Sequence, residues 1–289
     1  MRKEKRHDQI ATYIFYMIAI FISLILIAMV GFMVKKGLSG VSWHFLTAES
    51  ENLKAGGGIG SQIWNSFYLL IITMIISVPI GIGGGIYMAE YAKDNWFTKL
   101  VRLSIEVLSS LPSIVVGLFG LLFFVQKLGL GFSIGAGAIT LTIFNLPLLV
   151  RITEQSLRNV PLTQKSASLA MGVTHWDTIR YILLPGAMGN IVTGMILAAG
   201  RVFGEAAALM YTAGMSSSAI TGSNMFSLSR PGETLAVHIW KINAEGLTPD
   251  AAQIVASASL VLVMIVFSFN ILARFLGKCI YKKFAGKMS

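Results

Sequence analysis

The stretch Ile10-Ala-Thr-Tyr-Ile-Phe-Tyr-Met-Ile-Ala-Ile-Phe-Ile-Ser-Leu-Ile-Leu-Ile-Ala-Met-Val-Gly-Phe-Met-Val34 contains no charged residue. An α-helix rises about 1.5 Å per residue, and about 20 apolar residues cross the hydrocarbon of a bilayer. The run is therefore long enough to span a membrane by itself. It follows Arg2, Lys3, Lys5 and Arg6. It is too long for the apolar core of a secretory leader and no small-x-small cleavage pattern follows it, so it reads as an uncleaved anchor helix.

Five further stretches match it. With the first placed at 12–34, the others fall at 65–89, 105–126, 131–150, 188–213 and 252–274. The chain is 55% apolar and only 12% charged, about half the charge of a soluble domain. The pattern predicts an all-α polytopic membrane protein of six transmembrane helices, with membrane lipid as its main solvent. A net charge of +10 could suggest nucleic acid, but the basic residues sit between apolar runs, where the positive-inside rule accounts for them. With both termini cytoplasmic, sixteen of the 23 Lys and Arg residues fall inside and six outside, and Arg201 lies in a span. The chain then divides into a cytoplasmic basic N-terminus (1–11), a first span (12–34), a core of five spans (65–275) and a cytoplasmic basic tail (276–289).

Several chemistries are absent from the sequence. A lone cysteine, Cys279, excludes an internal disulfide, and His7, His44, His175 and His238 have no metal-ligand spacing. No phosphate-binding Gly-x-x-x-x-Gly-Lys-Ser/Thr loop, no His cluster, no paired acids and no Gly-x-Ser-x-Gly elbow is present. An intramembrane enzyme is thus disfavoured, and no cofactor is expected on this chain. Of the two long outer loops, 35–64 contains Gly56-Gly57-Gly58 and is expected to be flexible. In 214–251, Thr234–Trp240 is either a short interfacial or re-entrant helix or an ordered surface loop.

The most informative loop is Asn159-Val-Pro-Leu-Thr-Gln-Lys-Ser-Ala-Ser-Leu-Ala-Met-Gly172-Val-Thr-His-Trp-Asp-Thr-Ile-Arg-Tyr-Ile-Leu-Leu-Pro185. Pro161 suits a first helical turn, and Gly172 can adopt the left-handed conformation that ends a helix. Thr174 caps a second helix with Asp177 three residues on, and Pro185 is expected to stop it. The loop therefore predicts two short helices meeting at Gly172, either a rigid elbow that receives force or an ordinary connection.

Those residues resemble the coupling motif of ABC importer permeases: Glu-Ala-Ala, three residues, Gly, nine residues, Ile-x-Leu-Pro. Ser166, Ala167, Ser168, Gly172, Ile182, Leu184 and Pro185 occupy its positions. The departure is Ser166, where the family usually has Glu. The resemblance implies an ABC importer type I permease fold in a bacterial or archaeal cell (inner) membrane. It also implies docking of an ABC ATPase dimer that carries ATP and Mg, a second permease subunit of the C-type, and no enzymatic activity on this chain.

Further stretches are similar to the A-type permease of phosphate-specific importers: Ser110–Gly120, Pro147–Pro161, Gly200–Leu209 and Thr234–Trp240. This implies inorganic phosphate as cargo and an extracytoplasmic phosphate-binding protein as partner. The physics of the fifth span is compatible with an anion path. An arginine at mid-helix costs about 2.5–3.5 kcal/mol on insertion scales and faces protein or water. Arg201 and Glu205, four apart, are expected on one helix face, with Glu205 neutralising Arg201 until an anion competes. The bland alternative is a structural ion pair. Ser110 and Ser113 flank Pro112 and could hydrate an anion or bond their own helix. Pro79, with Gly81, Gly83, Gly84 and Gly85, predicts a bend and close packing, and Arg151 reads as a topology anchor, with a phosphate contact as the alternative. The rival functions are a permease for another oxyanion, such as sulfate or molybdate, and an ATP-independent channel or secondary carrier.

Overall fold

The computed structural model describes residues 2–51, 54–216 and 220–285. The side chains of residues 1–8, 276 and 278–289 lie outside the described residues, so Arg2, Lys3, Lys5, Arg6, Cys279 and the basic tail carry no structural account.

The described chain is all-α. Helix α1 (Arg2–Gly37) leads through α2 (Trp43–Thr47) to α3 (Gly60–Ile86), which ends in a π-turn, Tyr87–Tyr91. Then come α4 (Trp96–Ser110), α5 (Ser113–Gly120) with a π-turn to Lys127, α6 (Ile134–Arg158) and α7 (Leu162–Ala170). Helix α8 (His175–Thr178) runs through a π-turn, Ile179–Leu183, into α9 (Leu184–Gly204). The last elements are α10 (Ala207–Met210), α11 (Leu235–Glu245) and α12 (Ala251–Ala285). Five segments are long and apolar enough to cross a membrane: Gln9–Gly40, Gly60–Tyr91, Ile134–Arg158, His175–Gly204 and Ala251–Phe275. The pair α4 and α5 makes a sixth, bent by 103°.

That bend corrects the expectation of one continuous third span over 105–126. A residue before proline is pushed out of the helical region, and Leu111 is extended (φ −65°, ψ 136°). The fifth span also departs from 188–213. It begins at His175 and ends at Gly204, and Glu205 is extended (ψ 120°). Pro185 does not stop the elbow's second helix. The preceding π-turn widens the ring that a proline would otherwise clash with, so α8 and α9 form one span. The fourth span starts at Ile134 behind the Ser133 cap, whose Oγ accepts the Ala136 N–H, and continues to Arg158.

The outer loops are more ordered than expected. Gly57 and Gly58 are buried, and a Cβ on Gly58 would lie 2.5 Å from the Ala48 carbonyl oxygen. These glycines permit close backbone approach and are not a flexible linker. The Thr234–Trp240 stretch is a short helix, forming most of α11, and not a surface loop. Leu235, Ala236, Val237, His238 and Ile242 are buried, because its apolar face packs with Phe45, Ile254 and Val261.

The centre of the bundle is α3 against α6. Gly137 meets Leu69, Gly81 meets Leu149, and Gly85 meets Thr153. The constant offset means the two helices run parallel in one register, with glycines setting the spacing. Gly83, by contrast, faces open space. The register sets Pro79 level with Pro147 and Ser77 level with Asn145. Each proline frees a carbonyl one turn back, and among the described residues Thr73 Oγ1, Ser77 Oγ and both Asn145 side-chain atoms have no hydrogen-bond partner. Buried polar groups without partners thus lie level with, or close to, the two prolines. The main core cluster includes Leu69, Leu141, Phe144, Phe203 and Leu209. Helix α1 meets α12 closely at Gly37, as does Gly40 just beyond it, and the α1 side chains from Phe15 to Ile27 are exposed.

Candidate functional site

Arg201 sits in the last turn of α9, and its guanidinium lies 3.6 Å from the centroid of the buried Phe144 ring on α6. A cation over an aromatic face gains about 0.5–2 kcal/mol, which offsets part of the cost of a half-buried charge. The stacking uses the flat face of the guanidinium. Its five N–H donors point along the edge, and among the described residues none makes a hydrogen bond or ion pair. Glu205 acts on Arg201 electrostatically, but the expected i,i+4 pair is not formed, because the helix ends between them. Instead Glu205 Oε1 accepts the Ala208 N–H at 3.3 Å and starts α10.

The helix break at Glu205 lies beside this charge, and the segment that follows it meets α5. A Cβ on Gly117 of α5 would lie 2.7 Å from Ala208 Cα of α10, so the segments following the breaks at Leu111–Pro112 and at Glu205 cross in close contact. Leu111 and Ala206 both pack on the core cluster that holds Phe144 and Val202. Ser113 lies half-buried at the start of α5. Ser110 is exposed and donates to Val107 O at 2.8 Å, so its hydroxyl bonds its own helix. Of the four residues expected along a path, Arg201, Glu205 and Ser113 stand near the breaks, and Ser110 is turned to its own backbone.

At the opposite end of the chain's polarity is the elbow. Gly172 has φ +80°, a conformation that L side chains rarely adopt, and Thr174 accepts the Asp177 N–H. Across this corner, Ser168 and Thr178 hydroxyls lie 2.9 Å apart and are buried. Ser166 and Ala167 are exposed, whereas Ile182 in the π-turn and Leu184 and Pro185 at the start of α9 are half-buried. The outer surface of the elbow carries Leu162, Met171 and Trp176, 75%, 83% and 54% exposed.

Glu90, in the π-turn after α3, pins this elbow. Lys165 Nζ donates to Glu90 Oε2 at 2.6 Å, and His175 Nε2 lies 3.0 Å from the same oxygen. The Glu90 side chain is only 6% exposed. Sequence reading missed Glu90 and Phe144 because each acts on a residue far away in the chain. An acid at the inner end of an apolar run was the available signal for Glu90; Phe144 had none.

At the other end, Glu233 joins α11 to α3. Gln62 Nε2 donates to Glu233 Oε2 at 3.0 Å, and His238 and Lys241 stand 3.3 and 3.6 Å from Oε1. Burial raises the pKa of this carboxyl, but contact with His238, the charges of His238 and Lys241, and the Gln62 amide outweigh it, so the group sits below the usual carboxylate range. Arg230 Nη2 donates to Asn65 Oδ1 at 2.7 Å in the same layer.

Residues 81–285 match the family described as binding-protein-dependent transport system inner membrane component. The chain is 51% identical over 284 residues to the probable ABC transporter permease protein YqgI of Bacillus subtilis (strain 168), covering 96% of this chain and 97% of the relative. It is 36% identical over 247 residues to the phosphate transport system permease protein PstA of Yersinia pestis, covering 83% and 80%. Its fold is similar to that of a chain in the bacterial alginate ABC transporter bound to an alginate-loaded periplasmic protein, with TM-score 0.67, 14% identity and 96% coverage of both chains.

Proposed function

From a chain that belongs to the family of binding-protein-dependent transport system inner membrane components, we propose a permease subunit that forms half of the pathway of an ATP-driven inorganic phosphate importer. The observation that carries the cargo reading is Arg201. Its guanidinium is stacked on Phe144 with its donor edge unspent, beside the helix break at Glu205. Broken helices place backbone N–H groups and dipole ends at membrane depth, and a guanidinium fork matches phosphate oxygens. Relatives named for phosphate transport, such as the Yersinia pestis protein, favour this cargo over sulfate or molybdate.

The remaining parts of the reading are supported by family membership alone. The elbow at 159–185 presents Leu162, Met171 and Trp176 to a groove on an ATPase, which holds ATP and Mg. Ser166 stands exposed where an acid is usual, so docking rests on the apolar side chains and on the Glu90 tether. Glu205, freed from a helix pair, limits how long an anion stays at Arg201. A second permease completes the pathway, an external phosphate-binding protein delivers the ion, and the elbow end faces the cytoplasm together with both termini.

The test is uptake of radiolabelled phosphate by phosphate-limited cells with and without the chain, beside labelled sulfate and molybdate. A loss confined to phosphate supports the reading. A loss of sulfate or molybdate uptake instead assigns another oxyanion, and transport that persists without any ATPase chain assigns a channel or carrier.

A further inference from the structure

A second cationic cluster lies away from Arg201. Helices α4 and α6 face each other across a cleft of about 300 Å³ lined by Arg102, Ile105, Glu106, Arg151, Glu154, Gln155 and Arg158. Three guanidinium groups face two carboxylates there, so the lining carries one excess positive charge. Arg102 Nη1 and Arg158 Nε lie 2.7 and 3.1 Å from Glu154 Oε1, and both residues also donate to Met88 O. They are fixed in place by that shared anchor.

Arg151 differs from them. It is exposed and, among the described residues, makes no hydrogen bond or ion pair. It sits two helical turns, about 10 Å, up α6 from Arg158, below the helix end and toward the membrane interior. A guanidinium so placed has free donors for an anion, and the cleft's two carboxylates, Glu106 and Glu154, leave one of its three positive charges uncompensated. Helix α4 sets the depth: Trp96 and Phe97 at its start are 76% and 52% exposed, and such aromatic residues mark the headgroup level of a bilayer.

We propose that this cleft binds a phosphate group, with Arg151 as the principal contact and Arg102 and Arg158 as preset supports. The group belongs either to an anionic phospholipid headgroup or to free inorganic phosphate. The site stands on its own geometry and does not depend on the cargo assigned to Arg201.

The experiment uses the assembled transporter in detergent, as wild type, Arg151→Gln and Lys99→Gln. Lys99, on α4, is 71% exposed and 3.7 Å from Asp94, so it controls for general loss of surface charge. In one arm, native mass spectrometry reads retention of phosphatidylglycerol against phosphatidylcholine. In the other, equilibrium dialysis reads labelled inorganic phosphate in an Arg201→Gln background, so that the cargo region does not contribute. The expected result is loss of about tenfold in one arm for Arg151→Gln, with Lys99→Gln unchanged; the responding arm identifies the source of the phosphate. The proposal is overturned if wild type retains neither probe above phosphatidylcholine, or if the two variants behave alike. Arg151 has no partner to orphan, so its replacement leaves the fold intact.

Discussion

The Arg201 guanidinium lies 3.6 Å from the centre of the Phe144 ring, joining the end of the fifth span to the middle of the fourth. The ring holds the cation by its face and leaves its edge for another ligand. Phe144→Leu keeps an apolar side chain in the 4% exposed site but removes the π-face. The expected outcome is a rise of several-fold in the phosphate concentration that half-saturates uptake, in line with about 1 kcal/mol of lost cation–π attraction, at unchanged protein level. An unchanged concentration dependence would show that the ring only fills space.

The elbow is predicted to lose its fixed position in Glu90→Gln. Lys165 and His175 share one carboxylate oxygen of a nearly buried side chain. Neutralising it weakens both contacts, about 1–3 kcal/mol together. Co-purification of the ATPase with the permease is expected to fall, with the variant still inserted in the membrane. Full recovery of the ATPase would mean that the elbow holds its own shape.

Gly172→Ala tests the corner itself. A Cβ there meets nothing within 4 Å, so the cost is conformational, about 1 kcal/mol at φ +80°. A small drop in thermal stability with weaker coupling of ATP hydrolysis to uptake is expected. The Ser168–Thr178 contact across the corner predicts that Ser168→Ala adds to this loss less than independently. Strict additivity in a double-mutant cycle would separate the two.

Acid is expected to loosen the contact of α11 with α3 through Glu233. Its pKa is lowered in the folded chain, so its stabilisation is fully present above the unfolded carboxylate value, about 4.3, and is lost as pH falls through the lower folded value. Unfolding followed between neutral pH and about pH 3 should show a steeper acid-side loss in wild type than in Glu233→Gln. Parallel curves would place the acid sensitivity elsewhere.

The parts of this molecule legible from sequence are those set by short-range rules. Apolar length marks the spans, and the Gly172 and Thr174 corner follows from one permissive residue and one cap. Leu111 before Pro112 also signalled a break, but the surrounding run was apolar enough to read as continuous. Glu205 looked helical by spacing; it leaves the helix because its carboxylate takes the Ala208 N–H. Pro185 looked like a stop until a π-turn absorbed it. Phe144 under Arg201 and Glu90 under Lys165 depend on how α3, α6 and α9 pack, and no local pattern encodes that register.

The central claim is that Arg201 handles a phosphate ion on its way through the membrane. The direct measurement is initial uptake of labelled phosphate by Arg201→Gln and Arg201→Lys cells at membrane levels of the chain and of the ATPase matched to wild type. The account predicts uptake at the level of cells lacking the chain for Gln and partial uptake for Lys, which keeps charge without the fork. Normal uptake by Arg201→Gln at normal protein level would contradict it.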